Sequence, residues 1–267
     1  MKTFARICIF IGCFSMGATG MAQSADELIG LLMRETLSQR QKTTELLFRE
    51  STRDFEHSLP TLIHALESQD EDIRSRVASI MAASVYSNAA NSDLLKAHAA
   101  EVLDHLSDSN DQVREMLATA IASIVPYPSD AAVEKLAALL NDRDPKVRIV
   151  ALGAVARSPV GLAKATDAAI QILRKEDSPP ELKLVAVSVL ATSQSNNSDI
   201  ADLFIKLLDD PDIAVRAQGI RGLGMIGSRA AASLPRLKRI VSDSTQPEIV
   251  RRASQDAILE IEKAVRH

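Results

Sequence analysis

The sequence predicts an all-α repeat fold in which about six helix pairs stack side by side. Three observations predict it. A short pattern recurs six times: an acidic residue, then an apolar–basic pair, then an apolar helical stripe. The intervals between recurrences are nearly constant. No run shows the strict apolar–polar alternation of a half-buried strand.

The apolar–basic pairs are Ile73-Arg74, Val113-Arg114, Val147-Arg148, Leu182-Lys183, Val215-Arg216 and Val250-Arg251, spaced by 40, 34, 35, 33 and 35 residues. Self-similarity at such a period marks a repeat architecture. Each pair opens a helix. Val147, Val150, Ala151, Ala154 and Val155 fall at i, i+3, i+4, i+7 and i+8, one face of a helix, and Ile200, Leu203, Phe204, Leu207 and Leu208 repeat that spacing in the preceding segment. Each unit therefore holds an A helix followed by a B helix. The pairs are expected at 59–69/72–85, 93–107/111–124, 130–141/145–157, 164–175/179–193, 198–208/212–226 and 230–242/247–265. Asp-rich turns join them, with Asp144 and Asp212 placed to cap helix starts and Pro145 and Pro211 where a missing N–H costs nothing. The Tyr86–Ser92 stretch reads as a loop insertion that lengthens the first interval.

Residues 1–22 read as a secretory signal. Lys2 and Arg6 give a positive start, Ile7 to Ala18 an apolar stretch, and Gly20-Met21-Ala22 small residues for cleavage before Gln23. Ile11-Gly12-Cys13 also fits the end of a lipobox, which would leave a shorter apolar stretch of Ile7 to Ile11. Both cysteines, Cys8 and Cys13, fall inside the signal, so a mature chain would rely on packing rather than disulfides. Residues 23–58 are expected to form a helical cap burying Leu28, Ile29, Leu31 and Leu32, and residues 59–267 the repeat array.

These repeats resemble the HEAT family, particularly the short bacterial HEAT-like repeats of the phycobilisome-lyase type, over about residues 59–265. The resemblance rests on Asp144-Pro145-Lys146-Val147-Arg148-Ile149-Val150-Ala151-Leu152-Gly153, on Gly222-Leu223-Gly224-Met225-Ile226-Gly227 ending a B helix, and on Leu59-Pro60-Thr61-Leu62 and Leu234-Pro235-Arg236-Leu237 in A helices. It implies a right-handed α-solenoid, a superhelix whose B helices line the concave face. It also implies that the recurring Asp–Arg pairs (Asp72/Arg74, Asp111/Arg114, Asp144/Arg148, Asp212/Arg216) bridge neighbouring turns rather than carry acid–base chemistry.

Other motifs reduce to scaffold. Gly222, Gly224 and Gly227 match G-x-G-x-x-G, yet the pattern falls late in a helix with no strand before it, so close packing and a C-cap at Gly227 are expected instead of a dinucleotide site. His98 and His105 stand seven apart, about 10.5 Å along a helix, too far to share a metal. The sequence holds no Walker loop and no G-x-S-x-G elbow. No cofactor, metal site or catalytic residue is expected.

Function is therefore sought in binding. Removing the signal would leave 29 basic and 35 acidic residues, net −6. Residues 211–267 carry ten basic against six acidic groups, net +4, and residues 23–210 carry 19 against 29, net −10. A basic C-terminal end suits an acidic protein partner or an anionic surface. The overall negative charge and the scarcity of aromatic rings disfavour nucleic acid. No apolar run is long enough for an integral membrane protein. Arg114, Gln218, Arg221, Arg236, Arg239, Arg252 and Gln255 are the candidate contacts. The expected function is an exported, non-catalytic protein–protein interaction scaffold, periplasmic or secreted. The alternative is a lyase-like enzyme accessory handling a small ligand on the concave face.

Overall fold

The computed structural model describes residues 23–266 apart from 125, 126, 128, 194, 196 and 198. The expected signal, with Cys8 and Cys13, lies outside the described residues. Regular structure among the described residues is helical, with no strand. The chain divides into two compact units, Met1–Pro128 and Ser129–His267.

In the first unit, α1 (Ala25–Leu32) and α2 (Arg40–Arg53) pack together, and α3 (Phe55–Ala65) and α4 (Glu71–Ser87) follow as the next pair. Then come α5 (Ala90–Ala97), α6 (Ala99–Asp104), a 3-10 turn at His105–Ser107, and α7 (Asp111–Ala122). The B helices α2, α4 and α7 stack in sequence. Ser24 starts α1 with a capping box to Glu27. Leu28, Ile29 and Leu32 are buried as expected, while Leu31 is only half-buried.

The expected loop at Tyr86–Ser92 is a correction. Its residues extend α4 to Ser87 and begin α5 at Ala90. The added length is absorbed by splitting the A helix at His98, which pairs with Glu101 at 3.0 Å.

In the second unit the pairs are α8 (Asp130–Ala138) with α9 (Pro145–Val155), α10 (Leu162–Arg174) with α11 (Pro180–Thr192), α12 (Asp199–Lys206) with α13 (Ile213–Ile226), and α14 (Leu234–Ser242) with α15 (Glu248–Arg266). Helices α8 and α12 end in 3-10 turns at Leu139–Asn141 and Leu207–Asp209, and Gly227–Ser233 is a 3-10 segment leading into α14. The B helices α9, α11, α13 and α15 stack one on the next. Val147, Leu182, Val215 and Val250 are buried between them. A single pair cannot bury its apolar stripe, and stacking makes the core continuous.

The glycines of α13 serve this packing. A Cβ at Gly222 would lie 2.8 Å from the Phe204 ring, and one at Gly224 would lie 3.1 Å from the Ala257 backbone. Gly227 ends the helix at φ 60°, as the expected C-cap.

The basic residue that marks each repeat is a turn clamp. Arg114 Nη1 donates to the carbonyls of Asp108 and Ser109 at 2.7 and 3.1 Å. Arg148 does the same to Asp142 and Arg143 at 2.7 and 3.1 Å, and Arg216 to Asp210 and Pro211 at 2.8 and 3.2 Å. Lys183 and Arg74 bond the carbonyls of Glu176 and Ser68, both at 2.8 Å. Some clamps also reach an acid in the next turn: Arg74 pairs with Asp108 at 2.7 Å and Lys183 with Asp210 at 2.8 Å. The bridging acids thus differ in part from those expected, although Asp72 does bridge, to Arg40 of the preceding pair. Asp144 and Asp212 are N-caps, accepting from the backbone N–H of Lys146 and Val215.

Arg40 extends the ladder. It lies 34 residues before Arg74, donates to the Leu32 carbonyl at 2.9 Å, and pairs with Asp70 and Asp72 at 2.7 and 2.9 Å. The expected N-terminal cap is therefore built as a further helix pair with its own clamp.

Candidate functional site

Two surfaces of the second unit bring candidate residues together. The first is the outer face of its B helices. In α13, Ala214, Gln218, Arg221 and Met225 recur at i, i+4, i+7 and i+11, and all are exposed or half-buried. Beside them α11 presents Leu184, Val185, Ser188 and Thr192, and α9 presents Ile149, Val150 and Gly153. Gln218 Nε2 bonds Ser188 Oγ at 3.2 Å, which ties the two helices across this face. The result is a surface of short apolar and hydroxyl side chains, with Arg221 on α13. Arg252 and Gln255 are exposed on α15, the last helix.

The second surface is the turn edge of the last repeat. A solvent-open cavity of about 470 Å³ lies there, with Leu208 and Ile240 as its apolar lining and Arg236, Arg239, Asp243 and Gln246 as its polar lining. Arg236 is held by an ion pair with Asp209, also in the lining, and by the Ile205 carbonyl at 3.3 Å. Asp243 is the C-cap of α14 and accepts from Thr245 and Gln246. These hydrogen bonds, Thr245 first, hold its carboxyl below the ordinary range. Arg239 is exposed, with no side-chain hydrogen bond or ion pair among the described residues.

The sequence-derived candidates divide accordingly. Gln218 and Arg221 share the B-helix face, and Arg252 and Gln255 sit on α15. Arg236 and Arg239 lie on an A helix, α14, at the turn edge. Arg114 is a correction: it was expected to be exposed and is 6 % exposed, its guanidinium committed to the turn carbonyls. The clamp position of a B helix faces its own turn, not the open face. Arg251 was singled out only as the last repeat mark, and its free guanidinium was missed.

The chain matches the HEAT repeats family over residues 99–177 and 166–258, more than half its length. It belongs to the HEAT repeat family. Among solved structures, this HEAT repeat protein is similar to an engineered protein at 18% identity and a TM-score of 0.60, covering 89% of this chain and 68% of that one. It is also similar to a second engineered protein (17% identity, 90% and 99% covered, TM-score 0.49). A third likeness is the complex of CpcE and CpcF of phycocyanin lyase from Nostoc sp. PCC7120 (18% identity, 92% and 98% covered, TM-score 0.44). At these identities the likeness shows the fold alone. No curated protein matches the chain.

Proposed function

We propose that this HEAT repeat protein is an exported, non-catalytic scaffold that binds an acidic protein partner on the B-helix face of its second unit. The observation that carries the reading is the register of that face. Successive B helices α9 and α11 present mostly short apolar and hydroxyl side chains, α13 adds Gln218, Arg221 and Met225 beside them, and Gln218–Ser188 locks two of the helices together. Such a surface accepts an extended segment with little ordering of long side chains. Arg221, and Arg252 on α15, add positive charge within the segment of net +4.

Site-specific photo-cross-linking in intact cells tests this. A cross-linker at Ser188 or Gln218 should capture a partner, and one at Gln171, exposed on the A helix α10, should not. Capture from Gln171 alone, or equally from all three sites, would overturn the reading. Capture through Gln218 should weaken as salt rises. Export rests on residues 1–22: the protein should fractionate with the periplasm or medium, with a mass that begins at Gln23. A full-length cytoplasmic chain would refute it.

A further inference from the structure

The clamp ladder has one open rung. Arg40, Arg74, Arg114, Arg148, Lys183 and Arg216 each hold a turn carbonyl, and Arg40, Arg74 and Lys183 also bind a carboxylate of the following turn. Arg251 occupies the corresponding position of the last repeat. Its guanidinium makes no hydrogen bond or ion pair among the described residues, and its Nε is buried without a partner. Arg251 as a whole is only half-buried, and a carboxylate that meets the rest of its guanidinium gains charge-assisted hydrogen bonds that no protein group supplies among the described residues. Arg251 lies in the first turn of α15, which begins two residues after Gln246 of the cavity lining, and it acts electrostatically on Asp243 of that lining.

We propose that this turn edge is a second recognition site, which takes one acidic side chain of a protein partner with an adjacent apolar side chain against Leu208 and Ile240. The inference rests on the scaffold reading, but it uses a different surface. The chemistry of the ligand follows from the ladder: the group that such a clamp binds within this protein is an Asp carboxylate. Charge favours a monoanion. Arg236, Arg239 and Arg251 stand against Asp209 and Asp243, a surplus of one positive charge that suits a carboxylate better than a phosphate dianion. The apolar lining adds a requirement that free anions do not meet.

The probe is a fluorescein-labelled heptapeptide of alternating aspartate and leucine, with its asparagine counterpart as control, followed by fluorescence anisotropy on the full chain. The acidic peptide should bind saturably at low salt, and the control should bind at least about tenfold more weakly. Arg251→Gln and Arg239→Gln should each weaken binding by about fivefold or more, whereas Arg221→Gln on the B-helix face should change it less than about twofold. Inorganic phosphate should not displace the peptide at equal concentration. Absence of binding, equal loss with Arg221→Gln, unchanged binding in both turn-edge variants, or displacement by phosphate would each overturn the proposal. Thermal melting of the variants separates lost binding from lost folding. Cross-linking from Ser188 and Gln218 is read independently, so the site can fail while the scaffold reading stands.

Discussion

Lys183 and Asp210 show what the ladder does at the scale of one residue. Both side chains are buried, 8% and 7% exposed, and they meet at 2.8 Å. Removing one partner leaves an uncompensated buried charge, which costs about 3–5 kcal/mol. Lys183→Met should therefore lower stability by roughly 3 kcal/mol, read by urea unfolding. The double variant with Asp210→Asn should recover part of the loss. No recovery would show that the lysine acts through the Glu176 carbonyl instead. Arg251→Gln removes no hydrogen bond among the described residues and takes away a buried unpaired Nε–H, so it should not lower stability by more than about 0.5 kcal/mol. The first unit offers a pH test. Side-chain hydrogen bonds from Arg40 to Asp70 and from Arg76 to Asp72 hold both carboxyls below their ordinary value. A depressed folded pKa gives stability that is present above the unfolded value, near 4, and lost as pH falls through the folded one. Arg40→Gln should thus move the acid-unfolding midpoint upward, monitored by circular dichroism. Arg40 itself was invisible to the repeat pattern because Gln39 precedes it where the other marks have an apolar residue.

Elements were the most legible level, because helix periodicity and Asp caps are local signals. The last five A/B pairs were anticipated to within a few residues. What escaped was a matter of length: α4 runs on to Ser87 since Val85 still finds core contacts at 2% exposure, so the inserted residues became helix rather than loop. The glycines of α13 were legible as packing residues, and two substitutions separate packing from propensity. Gly222→Ala would push a Cβ to 2.8 Å from the Phe204 ring, and overpacking of this kind costs about 1–3 kcal/mol. Gly153→Ala has nothing within 4 Å of the added Cβ and lies inside α9, so helix propensity alone acts, a gain of about 0.5–1 kcal/mol. Opposite shifts in Tm are expected, and a loss at Gly153 would contradict the open surface described for α9.

Across the whole molecule, stacking makes each helix depend on its neighbours, so stability should vary along the chain rather than being uniform. Val215, fully buried in α13, marks the strong end: Val215→Asp places an unpaired charge in the core at a cost of several kcal/mol. The candidate surfaces were less legible than this core, since a face is set by neighbours that the local pattern does not contain. Arg114 and Arg221 look alike in sequence, yet one is turned into its turn and the other outward. The weak end is the split A helix. Helices α5 and α6 have 8 and 6 residues, each short of the roughly 12–15 needed for independent stability, so packing must hold them. In α5 that packing amounts to Asn91 and Leu95, whereas α4 buries Ile73, Val77, Ile80, Met81 and Val85 along one helix. Amide hydrogen exchange should therefore show Ala90–Asp104 opening locally, with protection at least about tenfold below that of Ile73–Val85. Equal protection in the two segments would mean that α5 and α6 unfold only with the whole unit. The Asn91 side chain, which donates to the Ser84 carbonyl at 2.8 Å, would then be the contact to remove first, because it fastens the start of α5 to the end of α4 through a buried hydrogen bond.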